Sequence, residues 1–214
     1  MKIATKLKIL LIPSLLYSGL ATATEYSSES SVTVASQYLF RGFDMTQEDP
    51  ALQGDYVISH ESGFWLGAWA SNYDFSTDDG VEIDIIGGFN MPLTDDITMG
   101  IGFTEYTYTG ETEDTTEINI SLSYSNFSLS YNDDLDLETV YLSLDAEFEI
   151  SEAISIALHA AEYDYNVGGA THDYSATLSY SVNEKFSVFA TFSNNDINET
   201  GAEDYVVAGV TYSF

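Results

Sequence analysis

The chain has 214 residues, with 35 Asp+Glu against 5 Lys+Arg and a formal net charge of −30. That balance excludes nucleic acid as a partner, because phosphate recognition needs a basic surface; the absence of cysteine excludes disulfides, thiolate catalysis and cysteine-held metals. Aromatic residues make up 14% of the chain, too many for a disordered acidic protein, so something must bury them.

The first 23 residues open with Lys2, Lys6 and Lys8, run through apolar Ile9–Leu20 and end in Ala21-Thr22-Ala23. A basic start, a short apolar middle and an A-x-A end predict a secretory signal peptide cleaved after Ala23. The run is too short for an uncleaved membrane anchor and is interrupted by Pro13. Without it, Arg41 and Lys185 stand against all 35 acids, a net charge of −33. No later stretch is apolar for long enough to cross a bilayer as a helix.

Beyond the leader, apolar residues recur at i and i+2, the period of a β-strand. Twelve strands are predicted, over 31–40, 51–60, 63–75, 80–91, 96–109, 115–125, 126–132, 137–150, 153–165, 172–182, 185–195 and 203–214. In 80–91, Val81, Ile83, Ile85 and Phe89 oppose Glu82, Asp84 and Asn90. In 115–125, Ile118, Ile120, Leu122 and Tyr124 oppose Glu117, Asn119, Ser121 and Ser123. In 137–150, Val140, Leu142, Leu144, Ala146, Phe148 and Ile150 oppose Tyr141, Ser143, Asp145, Glu147 and Glu149. The segment 63–75 is ambiguous, since Trp65 and Trp69 share one face with glycines while Phe64 and Leu66 take the other.

The connections alternate in character. GFDMTQEDP, STDD, GETEDT, DDLD, NVGGAT and DINETGA are longer and acidic; ES, PLTD, Ser125-Asn126, SE and NE are tight. Long loops on one rim and short turns on the other are the pattern of a transmembrane antiparallel up-and-down β-barrel. Closure also removes the exposed strand edges that so many strands would otherwise present. An all-β barrel of about twelve strands is therefore predicted as one domain over 24–214, in the bacterial outer membrane, with apolar faces on lipid and polar faces on a lumen. A soluble barrel with its apolar faces inward fails on crowding, because a small closed barrel has no room for that volume.

The last strand ends GVTYSF, with Val206, Ala208, Val210, Tyr212 and Phe214 on one face. It resembles the C-terminal signal read by the outer-membrane barrel assembly machinery, which the resemblance makes a partner of this chain through Phe214. A second resemblance lies in SQYLFRGFDMTQEDPALQG (36–54) and HESGFWLGAWASNYDF (60–75). Tyr38, Phe40, Arg41, Gly42, Pro50, Ala51, Gln53, Gly54, His60, Ser62, Gly63, Trp69, Ser71 and Asn72 are similar to a pattern of the TorF-type porin family of proteobacteria. That resemblance implies an outer-membrane barrel of unknown substrate, and carries over no catalytic residue.

Parity puts Arg41, Asp55, Glu82, Asp84, Glu117, Asp145, Glu147, Glu149 and His159 on the pore-lining face. An acidic lining attracts cations and repels anions, so the expected function is passive diffusion of small solutes, cation-preferring, with no cofactor and no enzyme chemistry. Arg41 is expected to clamp acids across the pore, with a ligand contact as the alternative, and His159 to be a satisfied hydrogen-bonding residue among small neighbours. His60 is assigned to a tight turn. The alternative function is a non-conducting structural or binding barrel whose acidic loops hold divalent cations. None of those loops matches a calcium-loop pattern, and no metal site is predicted. An omptin-like protease would need a His–Asp couple converging at the outer rim, but His172 and Asp173 are adjacent and point to opposite faces. A barrel phospholipase would need a nucleophile signature, and none stands out.

Overall fold

The computed structural model describes residues 25–165, 169–198 and 201–214. The predicted leader 1–23 lies outside the described residues, as do 166–168 of NVGGAT and 199–200 of DINETGA. Fourteen strands form: β1 (Tyr26–Ala35), β2 (Leu39–Phe40), β3 (Phe43–Asp44), β4 (Ala51–His60), β5 (Phe64–Asp74), β6 (Asp79–Pro92) and β7 (Ile97–Tyr108), then β8 (Thr115–Tyr124), β9 (Phe127–Asp134), β10 (Thr139–Glu149), β11 (Ile154–Asp164), β12 (Ala170–Ser181), β13 (Phe186–Asn198) and β14 (Gly201–Ser213). Twelve of them, all but β2 and β3, close into one antiparallel barrel in sequence order, with β14 returning to β1 from Ser31↔Ser213 to Ala35↔Gly209. Backbone donors and acceptors are thus paired around the whole ring, which is what a strand structure needs to stand in hydrocarbon.

The faces follow the predicted alternation. Val81, Ile83 and Ile85 of β6, Ile118, Ile120 and Leu122 of β8, and Leu142 and Leu144 of β10 are all exposed on the outside. Their polar alternates are inside, with Glu82, Asp84, Glu117, Tyr141 and Ser143 buried. Aromatics cluster on the outer surface at the tight-turn rim, where Tyr26, Phe64, Tyr124, Phe127 and Phe214 are exposed, as in the interfacial girdle of a membrane barrel. Strand β5 resolves with Phe64 and Leu66 outside and Trp69 buried inside. The Trp65 ring comes close to the backbone at Gly88, where a Cβ would meet it at 2.9 Å and the Ile101 carbonyl oxygen at 2.5 Å. Glycine is what lets that ring lie against the backbone.

The predicted strand 31–40 is corrected at both ends. β1 begins at Tyr26, because the polar run YSSES, with no apolar face to signal it, is recruited by backbone pairing from Tyr26↔His60 to Ser30↔Tyr56. It stops at Ala35. Past Ser36, which still donates to Ala208 O at 2.8 Å, the chain leaves the wall and folds into the barrel, burying Tyr38, Arg41, Met45 and Thr46. The alternation through Tyr38 and Phe40 serves aromatic packing inside the lumen rather than a further stretch of wall.

Candidate functional site

The fold places its polar chemistry inside the barrel, and the inward segment 36–50 organises it. Residues Phe40–Phe43 form a two-residue hairpin turn with Arg41 at φ 52° and Gly42 at φ 80°. Positive φ at both central residues is the signature of a type I′ turn, which glycine meets without strain. The segment ties itself together: Met45 N donates to Tyr38 O at 2.8 Å, and Tyr38 N to the Thr46 hydroxyl at 3.0 Å. The Asp44 carboxylate accepts from Thr46 N at 3.0 Å and Glu48 N at 2.7 Å.

The tip then bridges to the far wall. Arg41 Nη2 meets Glu117 Oε2 at 2.5 Å, with both side chains almost completely buried. Its guanidinium lies over the rings of Tyr141 at 4.3 Å and Phe40 at 4.8 Å. Asn195 Nδ2 donates to Gly42 O at 2.6 Å. Phe40 packs edge-on to Tyr106 with ring centres 5.8 Å apart, Phe43 on Tyr163 at 6.2 Å, and Tyr38 against Trp69 at 5.2 Å. In barrel order β8 and β10, which carry Glu117 and Tyr141, lie on the side opposite β1 and β4. The hairpin therefore crosses the lumen and narrows it.

Four of the nine predicted lining residues meet at this crossing. Besides the Arg41–Glu117 pair, Glu82 is 0% exposed and accepts from the Tyr108 hydroxyl at 3.0 Å. Asp84, on the same strand two residues on, is 2% exposed, and one oxygen of each of these carboxylates has no partner among the described residues. Glu117 also accepts from Asn119 Nδ2 at 2.6 Å and Tyr106 at 3.4 Å.

A second cluster joins Asp145 to His159, which face each other in the β10–β11 register. His159 Nδ1 lies 2.6 Å from Asp145 Oδ1, while its Nε2 lies 2.8 Å from the Tyr141 hydroxyl and 3.1 Å from Asp173 Oδ1. Its expected small neighbours are thus only part of its setting; two carboxylates and a tyrosine hold the ring. Glu147 and Glu149 continue down β10 from Asp145 toward the tight-turn rim, Glu149 exposed there. Asp55 sits apart on β4, partly buried and accepting from the Ser31 hydroxyl. His60 caps its turn through Ser62 Oγ at 2.6 Å.

Several inward residues escape the sequence reading. Asp134 extends the Asn132 face of β9 beyond the predicted end at 132 and accepts from Leu137 N at 2.8 Å. Asp173 reaches His159 diagonally, since His159 is in register with Ser175. His172 faces away, 2.9 Å from Asp196. Between the hairpin and the wall lies a chamber of about 150 Å³, bounded by Gln37, Arg41, Trp69, Asp145, His159 and Phe189 among others. Among the described residues no group of three His, Asp or Glu has the geometry of a metal site.

Outside the barrel wall, the loop carboxylate Asp78 joins two connections. It accepts from Thr112 Oγ1 at 2.5 Å, Glu111 N at 2.8 Å, Tyr73 OH at 2.9 Å and Thr112 N at 2.8 Å. These bonds, that from the Thr112 hydroxyl first and from the Glu111 amide next, hold its pKa down at about 2.

Comparison with known proteins agrees with this architecture. Residues 20–212 match the profile of a family described as a bacterial protein of unknown function, Gcw_chp. No curated protein matches by sequence. Among solved structures, the KdgM porin superposes with a TM-score of 0.67 at 11% identity, covering 88% of this chain and 99% of its own. The NanC porin gives 0.62 at 12% identity, covering 86% and 98%. An outer membrane channel from Pseudomonas putida F1 gives 0.53 at 10% identity, covering 91% and 99%. At these identities the likeness is one of fold: a twelve-stranded barrel of the outer-membrane porin type.

Proposed function

The chain belongs to the Gcw_chp family, and we propose that it is a channel of the Gram-negative outer membrane, through which small solutes diffuse passively with a preference for cations. We read the family as the TorF-type porins resembled by residues 36–75. One observation carries the reading: a closed barrel, apolar outside, is lined inside by carboxylates and crossed by a hairpin that leaves a chamber of about 150 Å³ beside it. Glu82, Asp84 and Glu117 stand at the constriction, Asp145, Glu147 and Glu149 below it, and Asp55 on the opposite wall. The hairpin supplies Arg41, and Glu117 neutralises it. The surplus of inward negative charge favours cations in a narrow lumen. The KdgM porin is described in complex with oligogalacturonate, a polyanion; an acidic lining disfavours that class of solute here.

Export by the predicted leader and insertion by the assembly machinery through the strand ending in Phe214 belong to the same reading. Proteoliposomes carrying the refolded barrel test it: they should swell in isotonic solutions of small neutral or cationic solutes faster than protein-free vesicles. Equal rates from a heat-modifiable, folded barrel would refute the channel. The second reading, a non-conducting barrel, draws its support from the hairpin itself, whose buried ion pair and aromatic contacts are those of a plug. Acidic loops binding divalent cations would then be the working part, and vesicles would not swell.

A further inference from the structure

We propose that the chamber beneath the hairpin is a binding subsite for one small neutral polyhydroxylated ring, of the size and chemistry of a monosaccharide or cyclic polyol. This rests on the lumen being the channel's working surface, and it names what the lumen binds on the way through.

Size comes first. The chamber measures about 150 Å³. A closed cavity of roughly that volume holds a bare six-membered ring, and this chamber is only partly enclosed, which leaves room for ring hydroxyls. Next come its unmet hydrogen bonds. Gln37 is 8% exposed and Arg41 6% exposed, and both line the chamber. The Gln37 amide nitrogen and Arg41 Nε are buried with no partner among the described residues. Buried donors without acceptors are costly, so a ligand oxygen there is favoured. A hydroxyl both donates and accepts, so it satisfies the Gln37 amide in either orientation.

The walls then set the class. Trp69 and Phe189 line the same space, and aromatic side chains suit the C–H face of a ring. The charges are already engaged: Arg41 Nη2 with Glu117, and His159 with Asp145 and Asp173. An anionic ligand would meet Asp145 and Asp173, while the cations beside them, Arg41 and His159, already hold carboxylates; a neutral ring meets no such penalty.

Trp69 is also the reporter. In a folded Trp65→Phe variant it is the remaining tryptophan, and its fluorescence reads the chamber at equilibrium whether or not the barrel conducts. Titration of the detergent-folded barrel with D-glucose and with myo-inositol should give a saturable change. Gln37→Leu and Gln37→Glu, each checked for folding by heat-modifiable mobility, should weaken binding about tenfold. No saturable change with either probe would overturn the subsite while leaving the channel intact. Tighter binding of sodium glucuronate than of glucose would overturn the neutral class. Vesicles that fail to swell while glucose still binds would instead overturn the channel and leave the subsite standing.

Discussion

Replacing Arg41 with Met keeps the stem of the side chain and removes the guanidinium. The barrel wall does not depend on it, because its strands are joined by continuous backbone ladders. The hairpin does. Arg41 and Glu117 are 2% and 1% exposed at the side chain and 2.5 Å apart, so the substitution strands a carboxylate in a nearly dry site. Breaking a buried pair from one side costs about 3–5 kcal/mol. Loss of the stack on Tyr141 adds roughly 0.5–2 kcal/mol, and water reaching Glu117 as the hairpin lifts takes some of this back. A shift of about 4 kcal/mol toward the displaced hairpin changes its population by roughly 10³-fold. In planar bilayers Arg41→Met should show larger or more frequent open events than the parent barrel. Adding Glu117→Leu removes the stranded charge and should restore the parent behaviour, since an apolar pair in a buried site is often neutral or better. If Arg41→Met folds and its current trace is indistinguishable from the parent's, the ion pair does not hold the hairpin in place and the reasoning fails.

Gly42→Val puts a β-branched residue at φ 80°; the strain of about 1–3 kcal/mol should open the channel in the same direction as Arg41→Met but less, read by the same currents. Asp78→Asn should loosen the connection 109–114, seen as faster amide exchange or proteolysis there with the barrel unchanged. The same loosening should appear in the parent with acid. The Asp78 pKa is held down at about 2, against about 3.9 for a free aspartate, so its contribution is complete above about pH 4 and disappears as pH falls through about 2. Protection that persists unchanged below pH 2 would mean the carboxylate is not the fastening.

Most of the wall is legible in the sequence because alternation alone assigns it. The strand predicted over 51–60 coincides with β4, and the outward Ile118, Ile120 and Leu122 follow from their spacing. What escapes is whatever depends on register or on crossing the lumen. Asp145 and His159 are separately recognisable as inward, but their contact and the third partner Asp173 need the β10–β11–β12 register, which one sequence does not contain. Arg41 and Glu117 are 76 residues apart, and no local signal joins them. The hairpin itself has a local mark, a Gly after Arg41 between two Phe, yet the apolar alternation of 31–40 outweighs it. The residues that resemble the TorF-type pattern gain a physical sense from the fold. Tyr38, Phe40, Arg41 and Gly42 build the inward hairpin, Trp69 backs it, and Asn72 pins its return, donating to Pro50 O at 3.2 Å and accepting from Leu52 N at 2.7 Å.

The reversal potential of the refolded mature barrel in a KCl gradient tests the acidic lining most directly. A cation-selective potential is expected, moving toward zero when Asp145→Asn, Glu147→Gln and Glu149→Gln are combined. A parent barrel that conducts with no selectivity, or with preference for chloride, would contradict it.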